Sequence, residues 1–180
     1  MTEETTNKTE APRLRELPQV PIDYILLVND LLGSIVAQED NETRNGQCSA
    51  LFGILEAGES LGLLPIPEHY RAVGIVADTR KACVDGTVDF GHMLDRLMSC
   101  FGPAVVRVSG LNRERFASSF LRTAYELSAE DRHDPLRAPR KALRNILHGH
   151  LMGGVAVGLL DQEQQAEGCV WWIGSTNPRR

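Results

Sequence analysis

The stretch Thr87 to Phe101 places the tightest constraint on the fold. Phe90, Met93, Leu94, Leu97, Met98 and Phe101 recur at the spacing of one face of an α-helix. Thr87 is the expected N-cap, Asp89 falls in the positive first turn, and Gly102-Pro103 supplies a stop. His92, Asp95, Arg96 and Ser99 lie on the opposite side. A helix this two-sided must lay its apolar face on other helices. The expected fold is therefore mainly α, a bundle of about six helices built around Phe90 to Phe101.

The rest of the chain offers the partners. Residues 1–20 lack apolar periodicity and carry several prolines, so they read as a disordered N-terminal arm before a single helical domain over 21–180. Tyr24, Val28, Leu31, Leu32 and Ile35 predict a helix over 23–39, and Asp40 to Gly46 reads as a loop. Cys48, Leu51, Phe52 and Leu55 predict a helix over 47–61. Pro67-Glu68 makes a good first turn for another over 68–84, with Val73, Val76, Ala77 and Val84 inward, in preference to a short strand at 72–77. Residues 104–108 read as a short strand or extended connector. Phe116, Ala117, Phe120, Ala124 and Leu127 mark a helix over 112–127. A charged loop then leads to a helix from Pro139, with Ala142, Leu143, Ile146, Leu147 and His150 on one face. The segment 152–160 continues that helix or turns into a strand; Gly153, Gly154, Gly158 and the strand-like Cys169-Val-Trp-Trp-Ile favour a small C-terminal β-hairpin pairing it with 168–174.

Several function classes are set aside on chemical grounds. No apolar run approaches the ~18 residues of a membrane span and no signal-peptide pattern opens the chain, which predicts a soluble cytoplasmic protein with no membrane partner. Cys48, Cys83, Cys100 and Cys169 show neither CxxC nor zinc-like spacing and read as free thiols. Gly53 to Ser60 matches a phosphate loop except that Glu59 stands where lysine must neutralise the phosphate, so close helix packing explains its glycines better. His148 and His150, two apart on a helix, point about 200° away from each other and cannot share a metal ion. No cofactor, metal or catalytic constellation is expected.

The net charge of −5 is unevenly spread: residues 1–106 hold 8 basic against 16 acidic side chains, whereas residues 107–150 hold 9 against 5. The basic part puts Arg115 and Arg122 on one helix, Arg137 and Arg140 at the start of the next, and Lys141, Arg144 and His148 along it. That composition suits a phosphate backbone or an acidic protein face. Trp171-Trp172, read in a strand, would face opposite sides and leave one ring as a partner anchor. These features favour a non-enzymatic intracellular interaction protein, an adaptor or accessory subunit of a larger assembly, with self-association open. The alternatives are an accessory nucleic-acid-binding subunit using the arginine-rich surface and a small enzyme with a cysteine nucleophile.

Overall fold

The computed structural model describes residues 22–101, 110–130 and 138–175. Within them the chain is mainly helical, with α1 (Ile22–Ala37), α2 (Asn41–Leu61), α3 (Ile66–Val84), α4 (Phe90–Met98), α5 (Gly110–Glu130), α6 (Ala138–Ala156) and α7 (Gln162–Ser175). A single 3-10 turn, Ser99–Phe101, extends α4. No strand occurs among the described residues. The arm at 1–20, the segment 104–108 and Arg137 lie outside them.

The bundle is organised by α2 and α6 rather than by the Phe90 stretch. A Cβ at Gly53 would stand 1.9 Å from the Ile146 carbonyl oxygen, one at Gly149 1.9 Å from the Ala50 carbonyl oxygen, and one at Gly153 2.8 Å from the Ala57 Cβ. Only glycine lets the two backbones touch in this way, so the near-phosphate-loop stretch is a packing surface within α2. Tyr24 of α1 is fully buried, donates to the Ile54 carbonyl at 2.7 Å, and occupies the space a side chain at Gly58 would need. Its ring meets Phe101 edge to face at 5.9 Å.

Helix α4 is a lid on this core. Leu97, Cys100 and Phe101 are buried, Met93, Leu94 and Met98 half-buried, and Phe90 reaches the surface. Its N-cap is Asp89, which accepts from the His92 amide at 3.0 Å, and not Thr87. The expected loop at 40–46 is corrected likewise. Asp40 accepts from the Thr43 amide at 2.6 Å, so α2 starts at Asn41, six residues early. Buried Arg44 reaches back from α2 to the end of α1, donating to the carbonyls of Ile35 and Gln38 and to the Asn41 side chain, and so satisfies carbonyls the helix leaves open.

The C-terminal β-hairpin does not form. Residues 152–156 continue α6, which closes at Gly158, φ +69°, with the Leu159 amide donating back to Gly154 at 2.9 Å. Asp161 and Gln164 then form a reciprocal capping box, Gln164 amide to Asp161 carboxylate at 2.8 Å and Asp161 amide to Gln164 side chain at 3.0 Å. That box commits 162–175 to a helix despite its β-branched and aromatic residues.

Helix α3 is also turned from its expected orientation. Ala72, Ile75, Val76 and Thr79 form its buried side, whereas Val73 is half-buried and Ala77 and Val84 are exposed.

Candidate partner-binding surface

The arginine-rich surface expected on α5 and α6 divides between the two ends of α2. Toward its C-terminal end, Arg122 pairs with Glu56 at 2.5 Å, Ser119 donates to the same carboxylate oxygen at 2.9 Å, and Arg115 reaches Glu59 at 3.5 Å. At the other end, Lys141 pairs with Glu42 at 2.7 Å. Glu42 and Glu56 are about 21 Å apart along the helix. The acidic front and basic third quarter of the sequence thus meet within one chain. An anion approaching Arg115, Arg122 or Lys141 also meets the partner carboxylate, which weakens the attraction. Arg144 is half-buried and His148 exposed on α6; the side chain of Arg140, in the first turn of α6, lies outside the described residues.

Lys141, Asn145 and His148 line one wall of an open groove of about 820 Å³, opposite Thr43, Gln47 and Ala50 of α2. Its lining mixes amides, hydroxyls and small apolar side chains. His150 faces away from it. Its ring is buried, stacks on Phe116 with centroids 4.3 Å apart, and places Nε2 3.2 Å from the Phe116 carbonyl oxygen. Burial pushes its pKa down to about 4, against the opposing field of Glu56 and the hydrogen bond to Phe116. The two histidines are therefore separated by the body of α6. Among the described residues no three His, Cys, Asp or Glu side chains are grouped to hold a metal.

Two of the thiols, Cys48 and Cys83, are held protonated by burial. Cys48 is buried, and desolvation pushes its pKa up to about 11, which keeps it protonated and a poor nucleophile at neutral pH. Burial raises Cys83 as well. Cys100 is buried with its sulfur 3.3 Å from the Arg71 Nε. Trp171 and Trp172 stand in α7, so the strand alternation expected to set them on opposite sides does not apply. Their side chains, like that of Cys169, lie outside the described residues.

The surface that sequence reading missed is the outer side of α3. Ile66 is 54% exposed, Tyr70 70% and Val84 62%, and Val73 and Ala77 complete the row. At 100° per residue these five fall within about 60° of one another. Their spacing of four, three, four and seven is that of a coiled-coil seam, in which Arg80 occupies the one position that is not apolar. Helix α3 is thus apolar on two sides, and the described residues cover one. A helix of that kind is ordinarily buried on both.

No helix of the described residues is long and apolar enough to cross a membrane. Comparison with protein-family models, with curated proteins and with solved structures finds no match to this chain.

Proposed function

We propose that the protein is a non-enzymatic interaction protein, an adaptor or accessory subunit, and that the outer seam of α3 is its docking element. The exposed Ile66, Tyr70, Ala77 and Val84, with half-buried Val73 in the same row, carry this reading. Water-exposed apolar side chains arranged in a helical seam gain free energy when a second helix covers them, and an aromatic and an arginine within the row are the residue types that anchor interfaces. The raised thiol of Cys48 and the carboxylates beside Arg115, Arg122 and Lys141 favour docking over cysteine catalysis or phosphate binding.

The test compares the tagged full-length chain with its Ile66→Glu/Tyr70→Glu variant after expression in the native host. Both positions point into solvent, so the variant should keep its helical circular dichroism and thermal midpoint. The expected result is a stoichiometric companion, either an untagged copy or another polypeptide, that the parent retains and the variant loses. A parent chain that elutes alone, or a variant that keeps every companion, overturns the reading.

A further inference from the structure

Taking α3 as the docking element, we infer that the occupant of its seam is the same seam of a second copy, laid antiparallel across a two-fold axis between Val73 and Ala77. Reversing the helix about that point maps the seam onto itself. Ile66 meets the partner's Val84, Val73 meets the partner's Ala77, and Tyr70 meets the partner's Arg80. The one cation in the row thereby lands on the one aromatic ring, a cation–π contact. A parallel pair would instead set Arg80 against its own copy in the middle of an apolar seam, where like charges repel.

Near the axis, Gly74 has no atom within 4 Å of where a Cβ would stand, so this part of the helix is open to a close neighbour. The seam spans a helix of 19 residues, about 28 Å long. An interface of one helix pair sits at the small end of specific interfaces, so association should depend on concentration.

Two measurements on the full chain test this. In sedimentation velocity across a concentration series, the mass should rise from one chain toward two, and Ile66→Glu should hold it at one. For register, Val73→Cys and Ala77→Cys chains are prepared separately, mixed and oxidised, with the parent chain as the background from the native thiols. The mixture should form an intermolecular disulfide well above that of either variant alone. Disulfides that form equally in each variant alone would overturn the antiparallel register. A mass of one chain at every concentration would overturn self-pairing. In that case a different polypeptide lost from the Ile66→Glu/Tyr70→Glu variant would leave the docking role of α3 standing, and the absence of any companion would remove both.

Discussion

At the scale of single residues, the side chains that do most for the fold are polar ones that sequence periodicity cannot weigh. His150 is the clearest. Its ring is held neutral in the folded chain, with a pKa near 4 against 6.5 for an ordinary histidine. The unfolded chain therefore binds the proton first as pH falls. The stability His150 contributes is complete above about pH 6.5 and is lost between there and about pH 4. The full loss is on the order of 3 kcal/mol. Urea unfolding of the parent and of His150→Gln at pH 7 and pH 4.5 checks this: the gap between them should shrink at the lower pH. A gap that stays constant would mean that the imidazole titrates alike in the folded and unfolded chains. Arg44 acts by a different route, as donor to the terminal carbonyls of α1. Arg44→Met keeps the aliphatic stem and removes the donors, and should cost about 2 kcal/mol by the same unfolding measurement.

At the scale of the helix, the pairing of α2 with α6 rests on backbone contact through glycine. Gly53→Ala gains helix propensity but drives a methyl group into the Ile146 carbonyl oxygen, so the helices must part along their length. The net effect should be destabilisation by about 3 kcal/mol or more, read as a lower thermal midpoint, whereas Gly74→Ala, on the open side of α3, should raise stability slightly. Helix existence was legible in the sequence for α1 to α6, because three-and-four spacing of apolar residues is a local signal. Which side of a helix turns inward was legible only where one side is apolar. Helix α3 carries two apolar rows, Ala72-Ile75-Val76-Thr79 and Ile66-Tyr70-Val73-Ala77-Val84, and periodicity alone cannot choose between them; the spacing then assigned three outer or border residues to the core. Helix α7 was missed because Cys169 to Ile173 has strand composition, although Asp161-x-x-Gln164 was a start signal in plain sequence. The bundle's centre was misplaced because glycines were weighed for their helix cost and not for the close approach they permit. The pairing of Arg115, Arg122 and Lys141 with Glu59, Glu56 and Glu42 was not legible for a simpler reason: these partners meet only in space.

At the scale of the whole molecule, three ion pairs join the acidic front of the sequence to its basic third quarter, and among the described residues the outer side of α3 stays apolar and exposed. Ion pairs tie α5 and α6 to both ends of α2, leaving the outer side of α3 as a long uncovered row. The account stands on that row being an interface. Sedimentation velocity of the purified full-length protein, run beside Ile66→Glu over the same concentrations, tests it most directly. The account predicts a parent chain whose sedimentation coefficient climbs with concentration to that of a pair, and a variant that stays at the single-chain value with unchanged helical content. Identical single-chain behaviour from both would contradict it.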